Sequence, residues 1–259
     1  MSFTASIVGG SGYTGGELLR ILLAHPHATI GQVTSRALKG QPVHRSHPNL
    51  RGHLATVYSV PDEIEPCDVL FLCMPHGKAA GDIERWRSLA PLVIDLSADF
   101  RLRDPEDYAS WYGDTHPNPE MLSQAVYGLP EFSRDQLAGA SLISGVGCNA
   151  TAMNLALLPL ARAGLIKRAI ADIKVGSSEA GAQASAGSHH PVRARTARTY
   201  SPSGHRHLAE VFQALGDIDL DATITAIDMV RGVLCTAHIE PTEPLTQKDL
   251  WKLYRPAYN

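Results

Sequence analysis

The residues best placed to do chemistry lie in Ser144-Gly145-Val146-Gly147-Cys148-Asn149-Ala150-Thr151. An apolar run at 140–143 reads as a strand, and the apolar run at 152–163 repeats at helical spacing. Two small residues allow a sharp turn between them. Cys148 then falls where a helix begins, and unpaired N–H groups and the positive end of the helix dipole favour negative charge there. A thiol in that place has its pKa lowered, and the thiolate is the nucleophile. The same cysteine would also serve as a small packed residue in a buried turn. Two further features favour the nucleophile: a glycine loop near the start of the chain and a histidine cluster downstream.

The glycine loop is Gly9-Gly10-Ser11-Gly12-Tyr13-Thr14-Gly15-Gly16, with Gly10, Gly12 and Gly15 at G-x-G-x-x-G spacing. It stands between a strand expected at 5–8 and a helix expected at 17–25. That context predicts a dinucleotide site in which Gly10, Ser11, Gly12, Tyr13, Thr14 and Gly15 hold the pyrophosphate at the helix N-terminus. The second strand, at 29–34, ends in Ser35-Arg36 rather than in the acidic residue that holds an NAD ribose. A hydroxyl and a guanidinium suit a 2′-phosphate, which predicts NADP(H) as cofactor. Arg36 as an ordinary surface residue fits the same sequence. Residues 68–74 and 92–96 are continuous apolar runs of the kind buried in parallel sheets, with a helix expected at 78–89 between them. The first ends in Pro75-His76-Gly77, so Pro75 sits at the carboxyl end of a strand, where ligands bind in such folds.

Stepping from these motifs to the elements that carry them, strand and helix alternate through the first half. This predicts an α/β, Rossmann-like, doubly wound parallel sheet. The pattern changes after the cysteine helix. Strands are expected at 169–175, 223–227 and 233–239, with helices at 208–215 and 245–254, the last capped by Thr246. The expected division is a nucleotide domain at 1–147 and a catalytic, α+β substrate domain at 148–259. Within the second lies the span 181–209, which has no acidic residue and holds Arg193, Arg195, Arg198 and Arg206 with His189, His190, His205 and His207. It reads either as a solvated loop or as a site for anionic groups, which guanidinium forks bind bidentately. The polar stretch 39–54, with His44, His47 and His53, has no ligand spacing or accompanying carboxylate and reads as a solvated loop rather than a metal site.

Composition narrows the alternatives. Hydrophobic residues make up 44% of the 259 and charged residues 19%, enough for a real core. A net charge of −3 gives no support for nucleic-acid binding. Four cysteines without metal spacing, no apolar stretch of membrane-spanning length and no recognisable signal peptide at Met1-Ser2-Phe3-Thr4-Ala5 make a reducing cytoplasm the expected location. A thiolate beside a nicotinamide domain predicts reduction of an activated acyl group through a thioester, with a histidine as acid/base.

The sequence also resembles the N-acetyl-gamma-glutamyl-phosphate reductases. The resemblance rests on the glycine loop through Glu17-Leu18, His47-Pro48-Asn49-Leu50-Arg51-Gly52, Pro75-His76-Gly77, Asp95-Leu96-Ser97-Ala98-Asp99-Phe100-Arg101, Gly147-Cys148 with Thr151, His205-Arg206-His207 and Met229-Val230-Arg231-Gly232. It implies that Cys148 is the nucleophile and His205 the acid/base. His207, two positions on, is expected to point elsewhere. That family usually has Pro-Gly before the cysteine and an aromatic after it. Here Val146-Gly147 and Asn149 flank it. Together with Gly176-Ser177-Ser178-Glu179 and Gly187-Ser188-His189-His190-Pro191, this resembles the lysine-biosynthesis branch. In that branch the substrate is an L-2-aminoadipate 6-phosphate carried on a small acidic protein. The implied substrate residues are Asn149, Ser178, Glu179, His189, Arg193, Arg198 and His207. The implied product beside the semialdehyde is inorganic phosphate, and the implied assembly is a homodimer or homotetramer, without membrane or metal. Free N-acetylglutamyl phosphate, the substrate of arginine synthesis, is the alternative. Members of the resembled family continue beyond Pro256-Ala257-Tyr258-Asn259.

Overall fold

Short apolar runs bounded by turn residues form the strands of this chain, and amphipathic runs form its helices. The computed structural model describes residues 2–258. In chain order the strands are β1 (Phe3–Val8), β2 (Ala28–Val33), β3 (Val69–Leu72), β4 (Leu92–Asp95), β5 (Val126–Tyr127), β6 (Leu142–Ser144), β7 (Ile166–Val175), β8 (Arg198–Ser201), β9 (Leu220–Ala226) and β10 (Val233–Pro241). The α-helices are α1 (Tyr13–Ala24), α2 (Ile83–Leu89), α3 (Pro105–Tyr112), α4 (Pro119–Leu122), α5 (Pro130–Leu137), α6 (Cys148–Arg162), α7 (His190–Arg193), α8 (His207–Leu215) and α9 (Gln247–Ala257). The chain forms two units. The first runs through Tyr108 and includes Asp114–Gly128 and Asp135–Gly145; the second takes Ala109–Gly113, Leu129–Arg134 and the chain from Val146 onward.

The first unit is Rossmann-like. Its six strands lie in the order β2-β1-β3-β4-β6-β5, every neighbouring pair parallel. The order reverses between β1 and β3, the switch point at which such sheets bind ligands. Ala5, Ile7, Leu19 and Val33 are fully buried and join the first strands to α1. Two local readings need correction here. The stretch 39–54 is not simply a solvated loop. His47 is buried, its Nε2 lies 2.8 Å from the Gly10 carbonyl, and its ring fills the space a side chain on Gly16 would need. The helix expected at 78–89 begins only at Ile83, because the Asp99 carboxylate takes the N–H groups of Ala79 and Ala80 and Ala80–Asp82 closes as a 3₁₀ turn.

The second unit is α+β. Its sheet has the order β10-β7-β9-β8, with β7 parallel to β9 and antiparallel to β10, and β8 antiparallel to β9. Ala171, Ile173, Val175, Ile224 and Ala226 alternate toward α6 and α8, where Met153, Leu157 and Val211 complete the core. Full burial of such an aliphatic side chain stabilises by about 1.5–3 kcal/mol. Thr246 caps α9 as expected, in a reciprocal capping box with Asp249. Part of the stretch at 181–209 is regular, since it contains α7 and β8. Among the described residues no helix is long and apolar enough to cross a membrane.

Candidate active site

Cys148 is the first residue of α6, and Gly147 is its N-cap. The cap makes no side-chain bond of its own. Instead the Gly147 N–H donates to Glu210 Oε2 at 2.9 Å, and the Gly147 carbonyl accepts from Thr151 N (2.8 Å) and Thr151 Oγ1 (2.9 Å). The turn is therefore gripped from both sides while Cys148 itself stays exposed. Glu210 is fully buried on α8, and its Oε1 lies 3.9 Å from His207 Nε2. This arrangement explains the glycine. A Cβ on Gly147 would come within 2.5 Å of Glu210 Oε1 and 2.7 Å of His207 Nε2. Gly147→Ala is expected to destabilise the unit by about 1–3 kcal/mol through overpacking and to slow alkylation of Cys148. Thermal melting and peptide mass analysis check both.

A second set of bonds surrounds the sulfur. Cys148 Sγ lies 3.7 Å from Asn149 Oδ1, and Asn149 Nδ2 donates to Glu179 Oε1 at 3.4 Å. Tyr200 on β8 donates its hydroxyl to the same oxygen at 2.8 Å. Burial, then Glu179, push the Tyr200 phenol well above its usual range, so it remains a donor. The Tyr200 ring stands 6.4 Å from that of His205, which in turn meets His207 edge-on at 4.6 Å. His205 Nδ1 accepts the His207 N–H at 3.1 Å. The neutral ring therefore carries its proton on Nε2. Burial, with help from the neighbouring Arg206 charge, lowers the His205 pKa to about 4.

Several expected substrate residues are placed differently. His207 is buried behind Gly147 and does not point away from His205; it is the first residue of α8, and the turn before it folds the two rings together. Asn149 is fully buried, with its amide engaged by Glu179 and Cys148. Arg193, the last residue of α7, turns back onto β7, donating from Nη2 to the Val175 carbonyl at 3.0 Å. Ser178 is half-buried, and its N–H is bonded to Val230. His189, Arg195 and Arg198 are exposed. Sequence reasoning missed Glu210 and Tyr200. Each carried a faint signal. Glu210 is the first acid after the acid-free span and lies one helical turn from His207, and Tyr200 is the only aromatic residue between 181 and 211.

In the first unit, Gly12 caps α1 in an extended conformation with no side-chain bond, and no atom lies within 4 Å of where its Cβ would be. A Cβ on Gly15 would lie 2.6 Å from Gly10, so the turn is closed on one side and open on the other. That cradle fits a pyrophosphate against the first N–H groups of α1. Ser35 Oγ donates to Ser11 Oγ at 3.0 Å, and Arg36 pairs with Asp62 at 2.9 Å. The exposed Pro75 loop is fixed by Asp99, which accepts from Gly77 N at 2.6 Å and lies 2.9 Å from His76 Nδ1. Burial raises the Asp99 pKa, but His76 and the amides of Gly77 and Ala80 outweigh it and hold the carboxyl below its usual range.

Comparison with known proteins gives matches over both units. The family models described as semialdehyde dehydrogenase, NAD binding domain, and semialdehyde dehydrogenase, dimerisation domain, match residues 4–140 and 148–259. The chain is 51% identical over 265 residues to a protein of Thermomicrobium roseum named putative [LysW]-L-2-aminoadipate 6-phosphate reductase, covering 100% of this chain and 75% of that protein. It is 47% identical over 258 residues to the [LysW]-L-2-aminoadipate 6-phosphate reductase of Deinococcus radiodurans, covering 98% and 74%. A Saccharolobus solfataricus relative, 46% identical over 257 residues (95% and 73%), is named [LysW]-L-2-aminoadipate/[LysW]-L-glutamate phosphate reductase. Among solved structures, aspartate semialdehyde dehydrogenase II of Vibrio cholerae shares the fold with a TM-score of 0.76 at 14% identity, covering 100% of this chain and 80% of that one. The Candida albicans aspartate semialdehyde dehydrogenase, solved with NADP, gives 0.68 at 13% identity, covering 98% and 76%.

Proposed function

The chain belongs to the semialdehyde dehydrogenase family, and from that premise we propose that it reduces a carrier-linked L-2-aminoadipate 6-phosphate to the 6-semialdehyde. The reaction belongs to lysine biosynthesis and uses NADPH. The observation that carries this reading is the exposed Cys148 at the start of α6, gripped through Gly147 by a buried carboxylate. The names of the relatives give the substrate class.

The steps follow from the residues. The Cys148 thiolate attacks the acyl carbon; the carbon–oxygen bond to phosphate breaks, and inorganic phosphate leaves with that electron pair. A thioester remains. NADPH, when bound, supplies a hydride to the thioester carbon. His205 presents Nε2–H to the oxygen that gains negative charge, and collapse of that centre breaks the carbon–sulfur bond, releasing aldehyde and thiolate. One proton is taken up overall. In this division of labour residues 1–147 bind the nucleotide and residues 148–259 hold the substrate. The family's dimerisation description supports a homo-oligomer.

NADPH is preferred here through Ser35 and Arg36. The Arg36–Asp62 pair is exposed, and such pairs contribute only about 0–1 kcal/mol, so a 2′-phosphate competes readily for the guanidinium. Arg36→Ala is expected to weaken NADPH binding about tenfold, the low end for a charge-assisted bond, and to spare NADH. Fluorescence titration with both nucleotides checks this; equal weakening of both would assign Arg36 another role.

An acidic carrier needs a positive surface on its partner, and Arg195 and Arg198 in the acid-free span provide exposed charge. Arg193 is left out because it braces β7. Steering of this kind weakens with salt, since the Debye length falls from about 10 Å at 0.1 M to about 3 Å at 1 M. The reverse assay, from aldehyde and phosphate, is expected to show kcat/KM falling with salt for the carrier-linked substrate only. Arg195→Ala with Arg198→Ala should remove most of that dependence. Identical salt profiles, or better efficiency on free N-acetylglutamyl substrate, would favour the arginine-pathway activity instead.

A further inference from the structure

We propose that Glu179 is a positioning residue that sets the state of Cys148 through the amide of Asn149, a role that rests on Cys148 being the nucleophile. The backbone that presents Glu179 is tied down. The Gly176, Ser177 and Ser178 N–H groups donate to the carbonyls of Gly232, Met229 and Val230 at 3.0, 2.8 and 2.9 Å. Tyr200 fixes the carboxylate from the other side with its 2.8 Å bond to Oε1. The two ends of the Asn149 amide are chemically opposite: the nitrogen only donates, and the oxygen only accepts. A carboxylate only accepts, so Glu179 selects the nitrogen end. The oxygen end is thereby turned to Cys148 Sγ, 3.7 Å away.

An acceptor beside the sulfur stabilises S–H, whereas a donor there would stabilise the thiolate. Glu179 thus favours the S–H form over the thiolate and fixes the direction of its proton. The other charged or titratable groups of this cluster are Tyr200 on β8, His205 and Arg206 ahead of α8, and His207 and Glu210 on α8. Of these, Tyr200 also hydrogen-bonds the Asn149 side chain, from the side on which it holds Glu179, and Glu210 grips the turn from the Gly147 side. Because Glu179 is itself exposed, replacing it leaves the core of the unit untouched.

Acceptor and charge can be separated by substitution. Glu179→Ala removes both, which frees the amide to turn its nitrogen toward the sulfur. Glu179→Gln removes the charge but keeps a side-chain oxygen that can accept from Asn149. The experiment is the rate of Cys148 alkylation by iodoacetamide against pH in the full chain, read by peptide mass at Cys148, with thermal melting as the folding control. The alanine variant is expected to lower the pH midpoint by about one unit. The glutamine variant is expected to show less than half of that shift. Equal shifts in the two variants would mean that Glu179 acts by its charge alone, and no shift in the alanine variant would mean that it does not act on Cys148; either overturns the proposal. Alkylation is read without turnover, so this outcome stays distinct from failure of the nucleophile assignment, which appears as retained turnover in Cys148→Ser.

Discussion

Cys148→Ser is expected to lower turnover by roughly 10⁴-fold or more, the scale on which removal of a covalent nucleophile is felt, while NADPH binding stays nearly unchanged. Serine keeps the size and exposure of the cysteine, so the first turn of α6 and the bond from Gly147 to Glu210 have no reason to move. What is lost is the anion. The thiolate is accessible near neutral pH and the alkoxide is not, so the acyl phosphate is not converted to the thioester that accepts hydride. The glycine loop, the candidate nucleotide cradle, belongs to the other unit of the chain. Phosphate release in a single turnover, measured beside NADPH fluorescence and thermal melting, separates the outcomes. Wild-type phosphate release from the serine variant would make Cys148 a packing residue.

The second large effect is expected at His205. Its replacement by asparagine should lower kcat by about 10²–10⁴-fold, the range for a positioned histidine, with little change in nucleotide affinity. The geometry specifies what is lost: a neutral ring whose Nδ1 is occupied by the His207 N–H and whose proton sits on Nε2. With its pKa lowered to about 4 by burial and by Arg206, His205 contributes no rate limb near pH 6.5, and its NMR titration should fall well below that of a free imidazole. The sign for stability follows. The unfolded chain binds this proton more tightly, so the contribution of His205 is present above about pH 6.5 and lost as pH falls toward 4. His207→Asn should instead lower the melting temperature first, because His207 is buried against Gly147. A large rate loss at His207 with none at His205 would reverse the two assignments.

How much of this was legible in sequence differs between the two units for a physical reason. In the first unit the candidate nucleotide cradle is built from backbone, and backbone geometry is written locally. The glycines of 9–16, the apolar runs of β1, β3 and β4, and the Ser35-Arg36 pair just beyond β2 each announce themselves within a few residues. Even so, the packing role of His47 was unreadable: it lies 37 residues from the Gly10 carbonyl it meets.

The site around Cys148 is the opposite case. The sequence by itself determined the candidate nucleophile, its place at the first residue of a helix, and the histidine triplet, because residue type and local turn are enough for those. Only the tertiary structure decided which groups surround the sulfur. Glu210 reaches Gly147 across 63 positions, Glu179 reaches Asn149 across 30, and Tyr200 reaches Glu179 across 21. Those pairings depend on β7, β8 and β9 lying side by side and on α8 packing against α6. The same packing buries His207 and Asn149 and turns Arg193 back onto β7. A side chain's type fixes what it can donate or accept, but its partner is fixed by the pairing of strands and helices distant in sequence.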